Sequence, residues 1–303
     1  MPGAAGARLR ASTVGAVVLG AIALACVVTL PWSLARYDVQ RVADMALVEA
    51  PPSLAEPLGT DALGRSLLWR CLLGGAISLA IGFAAAGIAL VIGVGWGMTA
   101  GYLGGRVDAV MMRVVDVLYG LPYLLMVVLL DLALSPPVEA AFVAVAGEDR
   151  TAWARQAAGV VTLLVAIGGV GWLTMARVIR GQVLSLRAQP FVEATRALGM
   201  GPVRVMVRHL LPNLTGPITV YAALVVPQAI LQESFLSFLG IGVRAPLPSW
   251  GNLAAEGVTE VPALATDAIP MNWWLVVVPC ALLGVTLLAL NFVGDGLRRR
   301  YAA

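Results

Sequence analysis

The sequence predicts an all-α membrane protein of about six transmembrane helices. Three observations predict it. The chain is 60% hydrophobic and only 12% charged, against about half and about a quarter in an ordinary soluble domain. The apolar surplus is gathered into six long runs, near 13–34, 71–100, 110–132, 159–175, 218–239 and 272–293. The arginines cluster in alternate segments between those runs.

At roughly 20 residues per span, 303 residues hold six spans and their connections but no sizeable soluble domain. Residues 1–57 are expected to form an N-terminal segment with the first span and the start of an outer loop. Residues 58–303 are expected to carry the other five. Backbone groups in hydrocarbon must bond within the segment, so uninterrupted runs are helices. A barrel would show short alternating strands instead, and these runs do not alternate.

The first run follows Arg8 and Arg10. It is longer than a signal-peptide core and no small-residue cleavage site follows, so it reads as a retained span. The second and third runs are rich in Gly and Ala, as in Gly82–Gly87 and Gly93–Gly97. Small residues let helix backbones approach closely in a membrane. Either packing within the chain, packing against a partner or lining a path satisfies that pattern.

With the amino terminus in the cytoplasm, the inner segments are 1–12, 102–113, 176–212 and 295–303. They hold thirteen Arg against three acids, Asp108, Glu193 and Asp295. The outer segments, 35–69, 132–157 and 241–270, hold six Arg against eleven acids. Positive charge stays inside, so both termini are expected in the cytoplasm of a multi-pass membrane protein. All twenty basic residues are Arg, a pattern read as codon usage. They are dispersed, which speaks against a nucleic-acid face.

The long inner loop is the most informative segment. Pro190 is placed to open a helix and Gly199 to close it. Pro202 is placed to open a second short helix running through Arg208. Ala194 and Ala197 offer a small surface for close approach by another protein. Glu193 suits the positive end of the first helix. An amphipathic helix lying at the membrane surface fits the same composition.

Glu233 lies in the fifth run and Asp116 in the third. A carboxylate in a membrane faces a cavity or a partner, so both are candidates for a translocation path. The alternatives are a structural hydrogen bond for Glu233 and pairing with Arg113 for Asp116. Asp131 is expected in water at a span end. Trp250 is expected at the outer interface, as an anchor or a docking surface. Cys26, Cys71 and Cys280 fit neither a disulfide framework nor a metal site. His209 is the only histidine, and no nucleophile or second ligand accompanies it, so neither catalysis nor metal binding is expected. There is no Gly-x4-Gly-Lys-Ser/Thr motif, so any ATP hydrolysis must come from another chain.

Glu193-Ala194-Thr195, three residues, Gly199, nine residues, then His209-Leu210-Leu211-Pro212 resembles the EAA signature of bacterial ABC importer permeases. Thr195 stands in place of the second Ala and His209 in place of Ile. Further segments from Leu58 onward resemble the dipeptide, oligopeptide and nickel branch of that family, in its "C" type. They are Leu58–Arg65, Ala76–Leu79, Phe238–Val243 with Pro248–Gly251, and Asn291–Arg298. Ser66 stands where the branch usually has Asp, and the usual Asp-Pro ending is missing.

The resemblance implies a type I ABC importer permease fold. It implies a coupling helix over 190–201 that seats in an ATPase subunit, with Glu193, Ala194, Thr195, Ala197, Leu198, Gly199, His209 and Pro212 as the coupling residues. It implies a homologous second permease, two ATPase subunits or domains that bind ATP and Mg, and an extracytoplasmic substrate-binding protein. No cofactor is expected on this chain. The substrate implied is a di- or oligopeptide. Nickel, or another small solute such as glutathione or an opine, is the alternative. The loop at 135–157, with Glu139, Glu148 and Asp149, is longer than this branch leads one to expect.

Overall fold

In the computed structural model, which describes residues 2–146, 151–260 and 272–301, the chain is helical with no strand among the described residues. Among the described residues, six helices are long and apolar enough to cross a membrane. The first, α1 (Pro2–Val28), is followed by the short α2 (Leu30–Arg36). The second span is α3 (Leu67–Leu103). It leads into α4 (Gly105–Tyr119) and the third span, α5 (Tyr123–Ala146). The fourth is α6 (Thr151–Arg187). Then come α7 (Pro190–Ala197), α8 (Pro202–Val205), a π turn (Met206–Leu210) and α9 (Leu211–Asn213). The fifth span is α10 (Thr215–Phe238), α11 (Trp250–Glu260) lies across the outer end, and α12 (Trp274–Tyr301) is the sixth span.

The third span differs from its expected place. The run at 110–132 is broken at Gly120-Leu121-Pro122. Pro122 has no N–H to continue the ladder, and a residue before proline is pushed out of the helical region. The portion before the break, α4, carries Asp108 and Asp116. Their carboxylates meet Arg180 at 2.5 Å and Arg177 at 2.9 Å on α6. Asp116 therefore pairs across helices with Arg177, not locally with Arg113. The crossing is made by α5, displaced toward the carboxyl end. As a result the expected outer loop at 132–157 is helical on both sides of residues 147–150. Glu139 on α5 and Arg155 on α6 form an ion pair of 2.9 Å. Glu148 and Asp149 lie outside the described residues. Asp131 is enclosed, at 8% exposure, because the helix runs on past it.

The Gly-rich pattern is explained by α3 and α6, which lie side by side in parallel. A Cβ on Gly93 would stand 2.5 Å from the Met175 Cβ, and one on Gly101 would stand 2.9 Å from the Val183 Cβ. Gly97 abuts the Ala176 carbonyl, and Gly82 abuts Ile230 of α10. Packing is the main attraction between helices in lipid, so the missing side chains are what permits this contact. On the other side α1 rests on α12, with Gly15 against Phe292 and Ser12 against Gly296.

The outer end is closed by residues 37–66 and α11. Trp250 is not at the interface: it is 1% exposed, and its indole N–H donates to the Cys71 carbonyl at 3.1 Å. Beside it Arg70 bonds Asp61 at 2.7 Å and Glu256 at 2.6 and 3.0 Å, and Arg65 bonds Asp61 at 2.7 Å. Ser66 donates to Glu56, which also holds Arg41. The loop is fixed to α11 by charge pairs satisfied within the chain.

Candidate functional site: an uncovered inner helix and a central cavity

Pro190 opens α7, preceded by extended Gln189. The helix ends on Gly199 at φ +74°, where Gly199 N–H donates to Arg196 O and Met200 N–H donates to Thr195 O. A glycine after the last turn is the usual solution for that left-handed geometry. Val192 and Thr195 face inward, at 0% and 6% exposure. Val192 joins Met98, Tyr102, Met175, Ile179, Val183, Val205, Leu210 and Leu214 in one apolar cluster under the inner ends of α3 and α6. Arg196 lies over the Tyr102 ring at 4.8 Å.

The opposite face is uncovered. Glu193, Ala194, Ala197, Leu198 and Gly199 are all exposed, Leu198 at 76%. Thr195 does not share that surface: its hydroxyl donates to Val192 O at 2.7 Å. A threonine in place of alanine is thus accommodated inside the loop and leaves the exposed face unchanged. Pro212 is exposed and His209 half-buried. Both belong to the second limb, where Leu211 N–H reaches back to Met206 O in a π turn. Pro212 supplies no N–H for the Arg208 carbonyl, which is where the α ladder widens. The Nε2 atom of His209 is buried without a hydrogen-bond partner.

A cavity of about 400 Å³ lies at mid-length between α3, α5, α6 and α10. Tyr119, Tyr123, Thr174, Tyr221, Gln228 and Gln232 supply its polar groups, and no charged side chain among the described residues lines it. Sequence reasoning missed all six. The signal was weak but present: Tyr221, Gln228 and Gln232 recur on one face of the helix. The two carboxylates expected on a path do not line this cavity. Glu233 is 0% exposed and accepts hydrogen bonds from Ser237 at 2.8 Å and Ser234 at 3.2 Å. Asp116 is committed to Arg177.

Outside the spans, two carboxyl groups are shifted in opposite directions. Burial, reinforced by the charges of Asp61, Glu256 and Glu49, pushes Glu260 on α11 up to about 7. The hydrogen bond from Arg180 holds Asp108 on α4 below the usual carboxylate range.

These features define a multi-pass membrane protein whose Arg-rich end presents an uncovered helical loop. Residues 93–303 match the family of binding-protein-dependent transport system inner membrane components, and the chain belongs to that family. Among its relatives is the dipeptide transport system permease protein DppC of Bacillus subtilis, 41% identical over 82% of this chain and 68% of that protein. The oligopeptide transport system permease protein OppC of the same organism is 38% identical over 95% of this chain and 84% of that protein. The Escherichia coli K12 OppC is 40% identical over 95% and 85%. The fold is shared with a chain of the inward-facing MetNI methionine ABC transporter, at a TM-score of 0.52 and 17% identity, over 78% of this chain and 97% of that one.

Proposed function

We propose that this chain is one of two permeases of an ATP-driven importer that carries di- or oligopeptides across the cytoplasmic membrane, both of its termini lying on the cytoplasmic side. The observation that carries the proposal is the exposed face of α7, held on a rigid apolar seat. An apolar residue such as Leu198, 76% exposed beside two alanines, is stabilised when a partner covers it. In this reading Glu193, Ala194, Ala197, Leu198 and Gly199 seat in an ATPase subunit, and Thr195, His209 and Pro212 shape the loop from behind. A homologous permease brings a second such helix. ATP and Mg sit on the ATPases, whose closure draws the two helices together and rocks the spans as rigid bodies. An extracytoplasmic binding protein delivers substrate to the outer end. Peptide as the cargo is supported by the names of the relatives and by the uncharged lining of the cavity.

The test is reconstitution with the two ATPases, the second permease and the binding protein. Expected is peptide uptake that needs ATP. Glu193→Ala combined with Gly199→Val should abolish uptake and release the ATPases on purification. ATPase retention and undiminished uptake in that variant would remove the coupling assignment.

A further inference from the structure

Resting on the peptide reading above, we propose that the central cavity is a sequence-independent rail for peptide-bond amides, with Gln228, Tyr221 and Thr174 as the groups that engage the substrate backbone. Tyr221, Gln228 and Gln232 lie at positions i, i+7 and i+11 of α10, all lining the cavity. That spacing covers about 16 Å of helix axis at about 1.5 Å per residue. It is the length of about five extended residues.

The chemistry of the lining selects the ligand class. A carboxamide donates and accepts at once, as does a hydroxyl. Such groups match a peptide unit, which presents one N–H and one C=O whatever its side chain. Tyr123 Oη already donates to Gln232 Oε1 at 2.5 Å, which anchors one end of the row. No hydrogen bond engages the side chains of Tyr221, Gln228 or Thr174 among the described residues, and Gln228 and Thr174 are exposed.

A divalent cation calls for carboxylate, imidazole or thiolate donors, and the lining has none. Recognition of a terminal or opine carboxylate favours a guanidinium fork. Arg177, which stacks on the lining residue Tyr119 at 4.1 Å, bonds Asp116 at 2.9 Å. Its charge is already matched. What remains is a neutral surface that grips the backbone and ignores side-chain identity.

The experiment compares uptake of one labelled tetrapeptide with its counterpart N-methylated at the internal peptide bonds, in proteoliposomes holding the complete transporter and a fixed binding protein. The binding protein contributes equally in every arm, so a change in the uptake ratio belongs to the permease. Gln228→Leu should lower the preference for the unmethylated peptide about three- to tenfold, the size expected for one neutral hydrogen bond. Thr174→Val should lower it less. Both variants should assemble with the ATPases and the second permease to the wild-type extent, since neither side chain makes a hydrogen bond among the described residues. An unchanged ratio in both variants, with assembly intact, overturns the rail while leaving peptide transport standing. A wild-type transporter that hydrolyses ATP on docking but carries nickel and no peptide overturns both.

Discussion

The two ends of the molecule are built on opposite terms. At the outer end polar and charged side chains are paired inside the chain: Arg70 with Asp61 and Glu256, Arg41 with Glu56, and Asn252 with the Val243 and Leu247 carbonyls. At the inner end α7 buries one narrow face and leaves the other uncovered. The difference teaches where each end gets its stability. The outer cap stands by its own contacts, whereas the inner helix is held from one side and uncovered on the other.

The comparison can be broken by removing single groups. Arg70→Met removes the more buried of the two guanidiniums that Asp61 and Glu256 share, at a site where the Arg70 side chain is 2% exposed. Breaking a buried pair costs about 3–5 kcal/mol, so folded transporter in detergent should be largely lost, as read by size-exclusion yield and thermal unfolding. Gly251→Ala drives a methyl into the Ser234 backbone. Overpacking of this kind costs about 1–3 kcal/mol, and the melting temperature should fall with the complex still assembling. Gly199→Ala meets no atom within 4 Å but must hold φ +74°. It should cost about 1–2 kcal/mol, confined to the inner loop and visible as faster hydrogen exchange there. Leu198→Glu should change stability by less than about 0.5 kcal/mol, yet weaken retention of the ATPases. A large drop in melting temperature from that change would mean the inner face is structural after all.

Acidity separates the ends by sign. Glu260 binds its proton more tightly in the folded cap than it would in an open chain, because its folded value is raised to about 7. Its contribution to the cap is therefore present at acid pH and lost as pH rises through about 7. Asp108 is shifted the other way by Arg180, so its contribution is present at neutral pH and lost as pH falls through its lowered value. Glu260→Gln should flatten the neutral-to-alkaline side of a melting-temperature profile, and Asp108→Asn the acid side. These are the smallest effects, since neither group is the main support of its end.

Much of this was legible before any coordinates. Runs of apolar residues declare spans because hydrocarbon offers the backbone no other partner. Pro190 and Gly199 declare the ends of α7 because one lacks an N–H and the other tolerates positive φ. The break at Gly120-Leu121-Pro122 was written in the same code, but the apolar run on either side masked it. The helical continuation of α5 through Pro136 and Pro137 ran against local preference. In a transmembrane helix, freed backbone groups are recovered from neighbouring helices, Ser/Thr side chains or local adjustments of the ladder.

Sequence by itself determined the six-span, all-helical class, the direction of the charge bias and the loop at 190–212, because each rests on local order and composition. The tertiary structure alone decided which face each polar residue meets. Glu233 turned out enclosed among serines, Trp250 inside the core, Thr195 behind the exposed face, and the α10 glutamines along a cavity. A helix gives every side chain a direction, but only its neighbours determine whether that direction ends in lipid, in another helix or in an open space.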